Sequence, residues 1–419
     1  MDADVIVIGA GLSGLACAVH LHEAGLTPLV LEAGERIGGR VATERRDGFL
    51  LDRGFQVLQT WYPEARRMFD YQRLDLRPFY PGALSWFDGR LHRVSDVWRR
   101  PLRLPQMITS PVGTVADKWR LLRFRHQALA GDLTTLYTRP ETSAASRLEA
   151  LGFSPRIRER FFLPFFSGVF FDPKLEISSH AFEFVFRAFA LGDTALPAQG
   201  MEQLPRQLAT RLPSGVIRLG SRVERLERGR VQLASGQWLR ARAVVIATDG
   251  NTAATLLGEP QQPMRATTSI HFAAPHPPFS GNELVINGSG RGVINSLLCP
   301  SNLSEYYAPP ERALVTVNCL GASHNPDTLE TQLRRELVTW FGESVAEWER
   351  LAVHRIPQAL PLQRPPVMAQ TKAPQRGERL WLCGEAAGPT SIHWALVGGR
   401  LAAEAVVGSV RPRAVRQHV

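Results

Sequence analysis

The stretch "DVIVIGAGLSGLACAVHLHEAG", residues 4–25, limits the fold more than any other part of the chain. Four consecutive apolar residues, Val5 to Ile8, read as a buried strand. Gly9, Gly11 and Gly14 follow in the spacing G-x-G-x-x-G, and a helical pattern then runs to about Ala24. Gly9 makes the tight turn, Gly11 lets the backbone approach a pyrophosphate, and Gly14 lets helix and strand pack closely. The helix N-terminus at Ser13 points its unpaired N–H groups at that anion. This is the opening of a doubly wound α/β unit that holds a dinucleotide.

The next strand, "TPLVLEA", ends at Glu32, eighteen residues after Gly14. An acid there accepts hydrogen bonds from the ribose hydroxyls of an adenosine and repels a 2′-phosphate, which leaves FAD or NAD as the ligand. Gly38-Gly39-Arg40 follows a few residues later. A simple NAD domain has no need of this second glycine pair.

With 419 residues the chain can bury a large core in two or three domains, and 44% apolar with 21% charged residues is the composition of a soluble globular protein. The net charge of +10 is carried almost wholly by arginine and favours anionic partners. Cys17, Cys299, Cys319 and Cys383 are scattered, so neither a metal site nor a disulfide framework is expected, and a reducing cytoplasm fits best. No run of 18 apolar residues suggests a spanning helix. "MDAD" before the first apolar stretch is acidic where a signal peptide needs positive charge.

The stretch "VIVIGAGLSGLACAVHLHEAGLTPLVLEAGERIGGRVAT" closely resembles the opening of the flavin-dependent amine oxidoreductase superfamily, which includes amine oxidases, protoporphyrinogen oxidases and carotenoid desaturases. The resemblance implies a Rossmann-type FAD-binding domain with an inserted mixed α+β substrate domain. It places Gly38 and Gly39 along the FAD pyrophosphate and Arg40 beside the phosphates and the flavin. Members often carry an arginine two residues after the acid; here that position is Gly34.

Two downstream segments agree. "SGVIRLGSRVERLERGRVQLASGQWLRARAVVIATDG" (214–250) alternates like successive strands, with "ASGQ" as a hairpin turn. It resembles the second FAD segment of the family, which maps a valine bracketing the adenine onto Val223. "RLWLCGEAAGPTSIHWALVGGRLAAEAVV" reads as a strand from Leu380 to Cys383, a turn, and a helix from about His393. By resemblance Gly384 and Glu385 lie near the ribityl chain and Ile392 near the flavin, with the helix dipole facing the ring. The loop lacks the cysteine of covalent flavoproteins, so non-covalent FAD is expected. The FAD-binding domain is then discontinuous, residues 1–75, 205–260 and 346–419, and the substrate domain comprises 76–204 and 261–345. "INGSGRGVIN" (286–295) reads as a hairpin rather than a second dinucleotide motif.

On the substrate side, Phe161, Phe162, Phe165, Phe166, Phe170 and Phe171 fall within eleven residues, as core packing or as the wall of an apolar tunnel. Residues 90–125 hold nine Lys or Arg with interleaved Trp98, Leu102, Leu104, Met107, Trp119 and Phe124. Such a stretch is either a solvated helical face or a surface resting on an anionic membrane. It carries no recognised nucleic-acid-binding fold, so no nucleic-acid partner is expected. Flavin-face candidates are the turn Asp52-Arg53-Gly54-Phe55-Gln56, with Gly54 assigned to the cofactor and Phe55 and Gln56 to the substrate, and the pair His393-Trp394. No catalytic side chain stands out, and no lysine lies between Lys174 and Lys372, where amine oxidases often place one. The reading is a cytoplasmic FAD-dependent oxidoreductase, peripheral to the inner face of a membrane if residues 90–125 rest on one. It removes hydride from a lipophilic substrate, desaturase-like or porphyrinogen oxidase-like, and passes electrons to oxygen or a quinone. Amine oxidation and flavin binding without turnover are the alternatives.

Overall fold

A computed structural model describes residues 1–322, 325–369 and 373–410. The first strand, Ala3–Ile8, sits at the centre of a parallel sheet. Pro28–Leu31 pairs on one side of it and Trp238–Ile246 on the other; Ile217–Arg218 and Leu380–Leu382 extend the sheet outward. The register brings Ile8, Leu31, Ile246 and Leu382 level, so four strands end along one line. Burial on both faces explains why these strands are continuous apolar runs rather than alternating ones. The crevice above the carboxyl ends of such a sheet is where a doubly wound fold binds its ligand.

The far half of the long strand turns antiparallel: Trp238–Ile246 pairs through its first residues with Arg230–Leu233 across the expected "ASGQ" turn, and that strand pairs with Val223–Glu227. The helix Leu12–Glu23 leaves the first strand and is covered by the last helix, Ile392–Val410. These two helices approach closely because position 399 is glycine: a Cβ there would lie 2.4 Å from the Ser13 carbonyl oxygen.

A second, seven-stranded sheet runs in the order Glu349–Pro361, Met264–Ala274, Ala313–Leu320, Ser296–Leu298, Leu284–Ile286, Gly82–Phe87, Arg90–Ser95. It is antiparallel except where Leu284–Ile286 meets Gly82–Phe87. Residues 286–295 are the expected hairpin connection, with Val285 opposite Leu297. Strand Glu349–Pro361, within the segment expected from 346 in the FAD-binding domain, pairs in this second sheet, where Ile270 faces Val353. It is the edge strand of that sheet, and its burial is mixed, with Glu349, Arg350, Arg355, Pro357 and Gln358 exposed and Leu351, Ala352, His354 and Ala359 buried. Helices between residues 104 and 191 cover one end of this sheet, and their core is aromatic: Phe124, Phe162 and Phe182 are fully buried.

Candidate functional site

The two sheets share one large cavity of about 1020 Å³, at the top of the ~300–1,000 Å³ usual for small-molecule pockets. Its inner end lies over the line where the parallel strands stop. Gly9, Gly11, Ser13, Glu32, Gly38, Gly39 and Arg40 line it there, with Val223, Gly384, Glu385 and Ile392.

Two glycine motifs build this end together. Gly38 forms a parallel bridge with Gly11 and donates its N–H to the Ala10 carbonyl at 2.8 Å. Gly38 has φ +102°, and a side chain there would run into the Val41 carbonyl at 2.3 Å, so the second motif can close on the first only without one. Gly14 does not line the cavity; a Cβ there would sit 1.9 Å from the Gly9 carbonyl oxygen, which is the tight helix–strand contact expected of it. The helix begins at Leu12, with Gly11 as its N-cap and no side chain accepting from its first N–H groups. Those donors are left for an anion.

Glu32 is held at both oxygens: Oε2 accepts from the Ala10 N–H and Oε1 from the Gly34 N–H, each at 2.8 Å. Arg36 lines the cavity two residues after Gly34 and donates to the carbonyls of Ile37 and Gly39. Sequence reading passed over Arg36, as it did Arg222 and the strand end Arg355–Leu360. The signal for Arg36 was its place between the acid and the glycine pair.

Glu385 is buried and ion-paired with Arg40, and its other oxygen accepts from the Gly250 N–H at 2.6 Å. Ser391 caps the last helix, accepting from the Trp394 N–H at its hydroxyl and from the Ala395 N–H at its carbonyl. Gln56 lines the cavity beside them. Its Nε2 donates to the carbonyls of Arg40 and Arg53, while its Oε1 is buried with no hydrogen-bond partner among the described residues. Gly54 lies under Ile356, whose Cδ1 would be 2.9 Å from a Cβ at position 54.

His393 and Trp394 correct the sequence reading. Neither lines the cavity. A helix that begins at Ile392 turns both rings into the core: His393 packs on Tyr62 and Phe184, and Trp394 donates from Nε1 to the Tyr137 hydroxyl at 3.1 Å. Burial, with Arg400 and Arg67 nearby, pushes His393 down to about 4, so it is neutral. Tyr62 takes the place on the cavity wall instead, its phenol held up by burial. Asp52 lies just behind the turn 53–57. It is buried and pushed up to about 6 by burial, against hydrogen bonds from the Thr43 and Tyr307 hydroxyls and the Met201 N–H.

The outer end is aromatic. Phe161, Phe165, Phe166, Phe170 and Phe171 line it with Phe186 and Phe189, while Phe162 is fully buried in the core. Phe161 stacks on Phe165 on the cavity face, while Phe162, turned into the core by helical phase, stacks on Phe166, which lines the cavity. The segment Arg158–Phe162 is wound as a π-helix, which sets that phase. None of the four cysteines lines the cavity; all are buried, and burial pushes the Cys383 thiol up to about 12. Among the described residues no group of three or more His, Cys, Asp or Glu is placed to hold a metal ion.

The flavin containing amine oxidoreductase family matches residues 12–407. A phytoene desaturase (lycopene-forming) from Pseudescherichia vulneris is 40% identical over 93 residues, 20% of this chain and 18% of that protein. A possible lysine-specific histone demethylase 1 from Drosophila melanogaster is 43% identical over 75 residues, 18% of this chain and 8% of that protein. The matched stretches thus span less than a fifth of either relative. Among solved structures, a putative protoporphyrinogen oxidase from Exiguobacterium sp. 255-15 superposes with a TM-score of 0.73 at 18% identity, over 97% of this chain and 99% of that one. Cyclohexylamine oxidase from Brevibacterium oxydans gives 0.69 at 20% identity over the same shares. These two likenesses establish a shared α/β fold. The glycine-rich cleft, the free helix amides and the unpartnered Gln56 Oε1 fit an FAD group. The chain belongs to the flavin containing amine oxidoreductase family, with FAD as its cofactor.

Proposed function

We propose that this chain is an FAD-dependent oxidoreductase that removes hydride from a C–H bond of a lipophilic substrate bound among the phenylalanines. The observation that carries the reading is the continuity of one cavity from the glycine-lined cleft to the aromatic wall. Bound FAD supplies the hydride acceptor. The chain's own residues position the two partners. Glu32 takes the ribose, Gly9, Gly11, Ser13, Gly38, Gly39 and Arg40 the phosphates, Val223 the adenine, and Gly384, Glu385, Ile392 and Gly54 the flavin end. Gly14 acts through the helix–strand contact. Gln56 Oε1 is an acceptor facing the ring or the substrate, and Phe55 lies beside it. The last helix, capped by Ser391, directs its dipole at the flavin, where negative charge is stabilised on reduction. The division into a discontinuous cofactor unit and a substrate unit is part of this proposal.

The phenylalanine wall excludes water and supplies no carboxylate to hold an ammonium group; the acids on the cavity are Glu32, Asp96, Asp249 and Glu385, at its two ends. This favours a lipophile over an amine. Electrons leave to oxygen or a quinone.

The outer end also supports a peripheral membrane location. Among the described residues, seven of the twelve large apolar side chains left exposed lie between residues 98 and 122, including Leu102 at 94% and Trp119 at 69%. Val115, Trp119 and Leu122 share one face of helix Val115–Leu129, with Arg123 beside them. Arg100 and Arg103 lie at the two ends of the short helical turn at 101–103, ahead of helix Leu104–Thr109. Apolar side chains with basic neighbours suit an anionic bilayer, each basic residue adding about 1 kcal/mol. Among the described residues no helix is long and apolar enough to cross a membrane.

Anaerobic bleaching of the flavin band tests the reaction. Polyenes or porphyrinogens in liposomes are expected to bleach it and a panel of primary and secondary amines to leave it unchanged; bleaching by amines alone would overturn the proposal.

A further inference from the structure

Where the cavity reaches the surface, Trp98, Arg99 and Arg125 line it together with Asp96. The charged groups here are accounted for one by one. Arg99 is ion-paired with Asp193 and donates from Nη1 to the Gly192 carbonyl at 3.0 Å. Asp96 accepts from the Trp98 N–H at 3.0 Å. Arg125 is different. Its guanidinium lies over the Trp98 ring, 4.6 Å from the centroid, and Nη2 donates to the Ala190 carbonyl at 3.3 Å. Nη1 is buried and has no hydrogen-bond partner among the described residues.

A buried, permanently charged donor without an acceptor is costly, and a native structure that keeps one has a use for it. Stacking on indole fixes the plane of the guanidinium, so its free arm is directed rather than mobile. Met107, Leu121, Phe186 and Phe189 line the same cavity. The geometry points to Arg125 as the anchor for an anionic group, a carboxylate or a phosphate, at the trailing end of an otherwise apolar substrate. This rests on the lipophilic-substrate reading and narrows it: the substrate is an amphiphile whose reacting C–H bond reaches the flavin while its charged end stays at the mouth. A pure hydrocarbon would leave Nη1 unmet. Arg125 sets orientation and takes no part in hydride transfer.

The test uses the FAD-loaded full chain and three probes of equal length below their micellar concentrations: hexadecanoate, hexadecyl phosphate and hexadecanol. Binding is measured by calorimetry and by quenching of tryptophan fluorescence. The carboxylate, the phosphate or both are expected to bind at least about tenfold more tightly than the alcohol, the factor for a charge-assisted hydrogen bond to a desolvated partner. Whichever anion leads names the group. Arg125→Gln should erase the preference while leaving alcohol binding and the flavin spectrum unchanged. Arg125→Lys should keep a reduced preference, and it serves if the glutamine variant does not fold. Equal binding of all three probes, or a preference that survives Arg125→Gln, would overturn the anchor and leave the lipophilic reading standing. Binding of none would overturn both.

Discussion

At its inner end the cavity wall is rich in glycine, with Gly9, Gly11, Gly38 and Gly39 bringing bare backbone to the surface. At its outer end the wall is phenylalanine rings. A backbone wall tolerates no added atom, because its fit depends on absent side chains. A wall of rings packs by shape and can re-pack when one is lost. The first reads one fixed cofactor, and the second can be tuned to different substrates on the same scaffold.

The sharpest way to break this contrast is Gly14→Val. The added side chain meets the Gly9 carbonyl, so the purified protein is expected to carry no flavin, seen as loss of the visible absorbance band. Retention of flavin would mean the glycine cleft is not the fixed element. Next in size is the pH response of His393, which lies behind the cleft and outside both walls. Burial lowers its folded value from 6.5 to about 4, so its contribution is present above pH 6.5 and lost as pH falls towards 4. The loss is about 3 kcal/mol from this group. Chemical denaturation across that range should show a shallower decline in His393→Asn, with turnover of the flavin unchanged; altered turnover would return His393 to the site. Glu32→Ala removes a carboxylate held by two backbone donors and should weaken FAD binding about 10- to 100-fold by equilibrium titration. The smallest effect belongs to the aromatic wall. Phe165→Ala is expected to cost roughly 2 kcal/mol, less than the ~3–5 of a fully buried phenylalanine. It should also raise KM for a lipophilic substrate and leave FAD affinity within about a factor of two. A large loss of FAD would show that the two ends are one cooperative structure.

The same contrast explains what was legible in the sequence. Gly9, Gly11, Gly14 and Glu32 act within one β-α-β stretch, so spacing alone located the cleft. The hairpin turns 234–237 and 287–295 were legible for the same reason, as local chemistry between strands. The aromatic wall was only half legible, because the choice between cavity and core for Phe161 and Phe162 depends on helical phase, and a π-helical segment shifts it. His393 and Trp394 failed on one residue of helix start. The pairing of strand Glu349–Pro361 was not legible because its partner, Met264–Ala274, is about eighty residues away and nothing local names it. Arg125 was visible as a charge, but its unused arm appears only when every neighbouring acid has been paired.

The last helix closes against the first through Gly399 and Ser13, so the earliest and latest parts of the chain form one wall of the cleft. On a ribosome, therefore, the glycine motif emerges hundreds of residues before the element that completes it. Domains generally fold as units and such long-range contacts form late. Until Ile392–Val410 has packed on Leu12–Glu23 the cleft lacks one wall, so FAD capture waits on a contact between segments nearly four hundred residues apart.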